Sequence, residues 1–325
     1  MRTSRYIAPR GGIYHVTAHT LDTADPFPLN AAEHERLVRL ITPLSAFTGI
    51  RVLTYALMGN HFHLLLEVPK RPTHIPEAEV VRRLNKLPKA SRAKQRPGDT
   101  LALRLRHQRE LGMPEPILRD LLDKERARMF NLSRFMQELL SRFTQNYNRR
   151  HNRKGTLWDD RFHSTLVENS PKALAAVASY IDLNPYRAGL CDKSLRYRFN
   201  GYSAAAGGNR FALEGLRRLM ALLKRRARPY KTQTLLRIYH NVINQRLQGL
   251  SSTPSPALKS GWRMRYFTSG RILGSKIFVE NHRAAWRRKQ HLVHTPTPVD
   301  IQGEGLYAVH PLRPPIGPRP AGGPA

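Results

Sequence analysis

Acidic side chains are scarce in this chain of 325 residues: 23 Asp and Glu stand against 55 Lys and Arg, a formal net charge of +32. A field of that size attracts polyanions and suits neither acidic protein partners nor neutral metabolites, so nucleic acid is the expected partner. Cysteine is nearly missing too. Cys191 stands alone, which excludes an internal disulfide framework and a cysteine-built zinc site. Long apolar runs and lipid-anchor motifs are absent, and this argues against a membrane surface as the partner of a basic chain. Residues 1–12 contain arginine but no apolar stretch of the kind a secretion signal needs. The expected setting is therefore cytoplasmic and nucleoid-associated. No internal repeat is visible, and the length allows one sizeable domain with a smaller second one.

The most informative stretch runs from Asn60 to Val68. Phe62, Leu64, Leu66 and Val68 alternate with the remaining positions, the pattern of a β-strand with one face in a core. His61, His63 and Glu67 then share the other face. Two imidazoles at i and i+2 on one strand are close enough to bind one divalent cation as neutral ligands. Taken alone, such a pair is more often an incidental surface feature.

A second stretch, Ser170 to Pro185, reads as a helix. Ser170 is a good N-cap and Pro171 suits the first helical position, while Pro185 disfavours helical backbone at Asn184 and should end the helix there. Leu174, Val177, Ala178 and Ile181 form a core stripe. Beside it run Ala173, Ala176, Tyr180 and Asn184: small residues that permit close approach to a sheet, then a phenol and an amide projecting to one place. By itself Tyr180 reads as an ordinary half-buried tyrosine.

The other elements follow by pattern. Ile13 to Thr20 alternates as a first strand, Ala31 to Phe47 as a helix, and Ile50 to Met58 as a strand joined to the histidine strand through the turn dipeptide Gly59-Asn60. Those two strands should pair antiparallel, placing the histidines on an inner strand. Residues 70–116 interrupt the pattern. Arg82, Arg83, Lys86, Lys89, Arg92, Lys94 and Arg96 sit there among prolines, suggesting a solvated basic insertion, partly helical around Glu77 to Leu87, that contacts nucleic-acid backbone. Asn131 to His151 is an amphipathic helix with Tyr147 on its apolar stripe, where core packing suits it better than a role as rival nucleophile. A basic turn follows. Arg149, Arg150, Arg153, Lys154 and Arg161 are candidate phosphate contacts, and Trp158 among them suits either stacking of an unpaired base or simple packing. Arg161 to Glu168 alternates as a further strand. Beyond about 205, residues 210–228, 232–247 and 270–288 read as basic helices of an accessory DNA-binding region, and the Pro- and Gly-rich tail, residues 293–325, is expected to be disordered.

Together, "GNHFHLLLEVP", "GTLWDDRFHSTLVEN" and "YIDLNPYRAGL" resemble the single-tyrosine HUH transposases, specifically the REP-associated tyrosine transposase branch. The resemblance covers roughly residues 5–205, with a weaker match at "GRILGSKIFVE". It implies an α+β fold, a ferredoxin-like antiparallel sheet with helices on one face, carrying here a mostly helical C-terminal extension. His61 and His63 match that family's metal-binding histidines, Tyr180 its nucleophile and Asn184 its third metal ligand; His163 and Tyr186 depart from the usual lysine and valine without touching a catalytic position. Imidazole and hard oxygen ligands fit Mg²⁺ or Mn²⁺, with Glu67 a candidate further ligand. The implied activity is nicking and transfer of single-stranded, hairpin-bearing DNA through a 5′-phosphotyrosine intermediate. A single candidate nucleophile favours strand transfer over rolling-circle release. Two other readings stay open: a catalytically silent, domesticated nucleic-acid-binding protein, and a metallo-phosphohydrolase working through activated water. Oligomeric state is equally open between homodimer and monomer.

Overall fold

The computed structural model describes residues 6–21, 28–89, 95–191, 197–225, 230–251, 265–289, 295–301 and 305–309. Its first half holds β1 (Gly12–His19), α1 (Ala31–Thr48), β2 (Arg51–Leu57), β3 (His61–Val68), α2 (Glu77–Leu84), α3 (Pro97–Glu110), α4 (Glu115–Arg126) and α5 (Leu132–Arg150). Then come β4 (His163–Val167), α6 (Pro171–Arg187), α7 (Gly201–Ala206), α8 (Arg210–Lys224) and α9 (Thr232–Ser251). Last are α10 (Arg265–Ser269), β5 (Ile272–Gly274), α11 (Lys276–Lys289), β6 (Val299–Ile301) and β7 (Leu306–Val309).

One mixed sheet of seven strands, ordered β2-β3-β1-β4-β5-β7-β6, organises these elements. β2 and β3 form the antiparallel hairpin that Gly59-Asn60 suggested, and β3 lies between β2 and β1 with Thr17 opposite His63. β1 and β4 are also antiparallel. The sheet is larger than the four strands expected. β4 continues into β5 as a parallel pair, and β7 and β6 extend it further. Segments of three or four residues hold there because Ile272, Leu273, Ile301, Leu306, Ala308 and Val309 are all buried. The C-terminal region is therefore not simply helical: residues 272–274 are strand within a stretch expected to be helix, and residues 299–301 and 306–309 are strands within the expected disordered tail. Residues 310–325 of that tail lie outside the described residues.

Helices cover both faces rather than one. Phe62, on one face of β3, meets the edge of Trp158 at 5.5 Å between ring centres, and Trp158 meets Phe143 of α5 at 5.8 Å; α1 packs against α5 on that side. On the other face α6 crosses β2 and β3, with α8, α9 and α10 around it. A sheet whose strands bury side chains on both faces needs a helical layer on each.

The insertion is packed rather than solvated. Val80, Leu84, Leu105, Leu118 and Leu122 bury into a small helical layer formed by α2, α3 and α4. Some of its cations are engaged: Arg82 and Arg83 bind Glu79, Arg109 binds Glu77, and Arg96 donates to the Asn85 carbonyl. Arg92 and Lys94 lie outside the described residues.

Pro185 does not end α6. As the residue lacks an N–H only one helical bond is lost, and the helix runs on to Arg187. The stop is Gly189, at φ 72°, where the Leu190 amide donates to Pro185 O at 2.9 Å and the Gly189 amide to Tyr186 O at 3.0 Å. This is the 6→1 and 5→2 pairing of a Schellman motif. Its consequence is functional: Asn184 keeps helical backbone and stays in line with Tyr180.

Candidate active site

The inner strand and α6 bring the expected residues together from distant sequence. His61 and His63 face α6, with Thr17 and His19 of β1 opposite them. Ser170 caps α6 by accepting from the Ala173 amide, and small residues Ala173 and Ala176 let the helix settle close to the sheet. Asn184 then reaches His63, Nδ2 to Nε2 at 2.9 Å, across 121 residues of sequence. Tyr180, one turn earlier, sets its ring edge-on to His63 and to His15, each at 5.8 Å between centres.

Hydrogen bonding fixes which histidine nitrogens face the site. His15 Nδ1 lies 2.7 Å from the Phe267 carbonyl, which can only accept, so that nitrogen carries the proton. A neutral His15 then accepts at Nε2, and His63 Nδ1, 2.9 Å away, donates to it. The lone pair of His63 is thereby left on Nε2, toward Asn184. By the same logic His61 Nδ1 donates to Asn60 Oδ1 at 2.7 Å and its Nε2 is the bare nitrogen. All three rings are held neutral. Burial, then nearby histidines, pulls His63 well below the ordinary histidine value; burial and His19 bring His61 to about 4, and burial brings His15 to about 4.

Neutral imidazoles with outward lone pairs are what a divalent metal requires. Two ligand atoms sharing a hard ion at roughly 2.1 Å sit about 3 Å apart, the separation seen between His63 and the Asn184 amide, whose oxygen faces the ring after a half-turn of the amide. The donor set thus fits Mg²⁺ or Mn²⁺. Among the described residues no three His, Cys, Asp or Glu side chains could hold a metal together, so the amide is indispensable to such a set.

Glu67 is not part of it. Its carboxylate is taken by Arg218, at 2.5 and 2.7 Å, and by Arg51 at 3.1 Å. Although burial would raise its pKa, these arginines bring it below the usual range. Trp158 is not an open stacking surface: it is 7% exposed, wedged between Phe62 and Phe143. A large aromatic surrounded in sequence by charge still buries when a hydrophobic slot faces it. Arg150 is committed to the buried Glu33, which His151 also contacts. Arg153 lies over the Tyr147 ring at 5.9 Å, and Tyr147 is a core residue. Arg149, Lys154 and Arg161 are exposed and open to a ligand.

Four residues of this region escaped sequence reasoning. His15 is the first, though its alternation with Thr17 and His19 on β1 was a usable signal. Asp182 is the second: buried on the far side of α6 from Tyr180, it accepts from Thr54 at 2.9 and 3.0 Å, from Tyr239 at 2.7 Å and from the Tyr202 amide at 3.1 Å. These bonds fix the rotation of α6, and burial pushes the Asp182 pKa up to about 6. Phe267 stacks on Tyr180 at 4.8 Å and 15°, and Arg187 places its guanidinium carbon 5.4 Å from the centre of the same ring. Burial raises the Tyr180 pKa, while Arg187 and a hydrogen bond with Asn184 work against the rise.

No protein-family model matches the chain, and no curated protein does. Among solved structures it is similar to a REP-associated tyrosine transposase bound to a REP hairpin, at 12% identity over 64% of this chain and 86% of that one, with a TM-score of 0.41. With a likeness so distant, the functional reading rests on this chain's own site.

Proposed function

We propose that this protein is a metal-dependent single-stranded DNA endonuclease and strand transferase that acts on hairpin-bearing DNA, with Tyr180 as nucleophile. One observation carries the reading. One helix sets Asn184 against the bare Nε2 of His63 and the Tyr180 ring edge-on to the same imidazole, which supports Tyr180 as nucleophile beside His61, His63 and Asn184 as metal ligands. The motif resemblance and the formal charge of +32 support a transposase and a polyanionic substrate.

The chemistry follows from these groups. Tyr180 Oη attacks the phosphorus of a phosphodiester, the bond from phosphorus to the 3′ oxygen breaks, and that oxygen leaves as a hydroxyl after taking up a proton. The downstream strand remains esterified to Tyr180 through its 5′ phosphate. Because the bond energy is kept, a 3′-hydroxyl can later attack the ester, rejoin a strand and return the phenol. Burial keeps Tyr180 protonated at rest, so it releases its proton as the new bond forms; Arg187 and Asn184 favour the developing phenolate. His61, His63 and Asn184 would hold the metal, which when bound supplies a positive centre for a non-bridging oxygen. Phe267 fixes the phenol ring in one plane, limiting its approach to the phosphorus.

The test is a denaturing gel of protein mixed with a 3′-labelled hairpin strand and Mn²⁺ or Mg²⁺. Label should migrate with the protein, and both EDTA and Tyr180→Phe should abolish that band. A free 5′-phosphate product made equally well by Tyr180→Phe would instead establish a phosphohydrolase using water.

A further inference from the structure

Two arginines near this site have no carboxylate partner among the described residues. Arg161 lies two residues before His163, which pairs with Thr17 directly across β1 from His63. Its neighbour Asp159 is tied by its amide to the His19 carbonyl at 3.0 Å, anchoring the approach to β4 next to the histidine row. Arg271 comes from the C-terminal segment. Its backbone is pinned at both ends, the amide donating to Val309 O at 2.7 Å and the carbonyl accepting from the Leu166 amide at 2.9 Å. The parallel register pairs Leu166 with Ile272, so Arg271 lies beside Thr165, on the sheet face that carries His15 and His63.

The Arg271 side chain is only partly covered, yet its Nε is sealed from solvent and has no hydrogen-bond partner. Neither guanidinium ion-pairs with Asp or Glu among the described residues, and Arg161 is a repelling neighbour for Arg271. A buried donor with no acceptor is destabilising, and a like charge nearby adds to that cost. Such an arrangement persists when a ligand completes it. The missing partner must be an anion with several acceptor oxygens, and a phosphodiester matches the guanidinium fork.

We infer that Arg161 and Arg271 together bind one backbone phosphate of the single-stranded substrate. The inference rests on the function proposed above. It makes the C-terminal segment part of the substrate site, since that segment supplies Arg271 as well as the Phe267 ring and carbonyl.

The experiment uses the full chain in a Tyr180→Phe background with EDTA, so that binding is read without chemistry. Affinity for a fluorescent hairpin-bearing single strand is measured across KCl concentrations. Losing one phosphate contact should lower the slope of log K against log salt by about 0.7, and weaken binding about fivefold at 0.1 M salt. Arg161→Gln and Arg271→Gln should each do so, and the double variant should lose no more than either alone. If Arg271→Gln fails to fold, Arg271→Lys, which keeps the charge but loses the fork, should still weaken binding. Unchanged slopes in folded variants, or losses that simply add, would overturn the shared phosphate site while leaving the nuclease reading intact. A parent chain that binds no DNA at all would overturn both.

Discussion

The two faces of β3 contrast sharply. On one, Phe62, Leu64 and Leu66 are fully buried against hydrocarbon and aromatic rings from α5 and Trp158. On the other, His61 and His63 meet a phenol, an amide and two further histidines, with Asp182 and Thr54 buried nearby. Alternation along a single strand separates these environments by one residue. The first face supplies non-directional burial energy. The second carries, beside the buried Leu65, polar groups that must be matched one by one. Stability and function are thereby assigned to opposite sides of the same backbone.

The largest effect expected from breaking this contrast comes on the apolar face. Phe62→Ala should cost about 3–5 kcal/mol, because it deletes a ring packed against Trp158 and leaves a cavity. Thermal or urea unfolding would measure the loss. Adduct formed per folded molecule should stay near the parent value, and a parallel collapse of activity in molecules that remain folded would show the faces to be coupled.

The histidine face should respond to pH where the other cannot. His15 and His61, at about 4 when folded, have ordinary values near 6.5 once unfolded, and His63 is shifted the same way. Between those values the unfolded chain binds more protons, so stability should fall as pH drops from 6.5 toward 4. Asp182 opposes this: raised to about 6, its folded carboxyl binds the extra proton and gains stability as pH falls through that value. Three histidines outweigh one carboxylate, so the net change should be a loss. Melting in EDTA from pH 7.5 to 5 would read it, and His15→Gln should shallow the slope; a flat profile in the parent would remove the case for neutral, buried imidazoles.

The legibility of the two faces in sequence differed as well. Alternation revealed β1, β2, β3 and β4, and helical spacing put Tyr180 beside Asn184, because both signals are local. What failed depended on distant partners. Pro185 reads as the end of α6, although Gly189 and the backward hydrogen bonds of the Gly189 and Leu190 amides set it. Trp158 looks open when only its charged neighbours are read, and its slot is formed by Phe62 and Phe143 from elsewhere in the chain. β5, β6 and β7 are too short to show a period; β5 adds to the edge of β4, β7 to β5 and β6 to β7. Glu67 shared the correct face with the histidines, yet Arg218, 151 residues away, claims it.

Helix α4, just after the basic insertion, gives the smallest effect and a control for the arginine pair near the site. Arg119 pairs with Glu115 at 3.4 Å and Lys124 with Asp120 at 2.6 Å, each four residues apart on α4 and largely exposed. Exposed pairs of this kind contribute at most about 0.5 kcal/mol, because water screens the attraction and two long side chains lose freedom. Arg119→Ala should therefore shift the unfolding midpoint barely at all. It should also leave the salt dependence of DNA binding unchanged, since a cation already matched by a carboxylate on its own helix releases few counterions from DNA. A slope lowered by about 0.7 in Arg119→Ala would place α4 on the DNA, and would mean that charge already paired within a helix does not keep an arginine from the backbone.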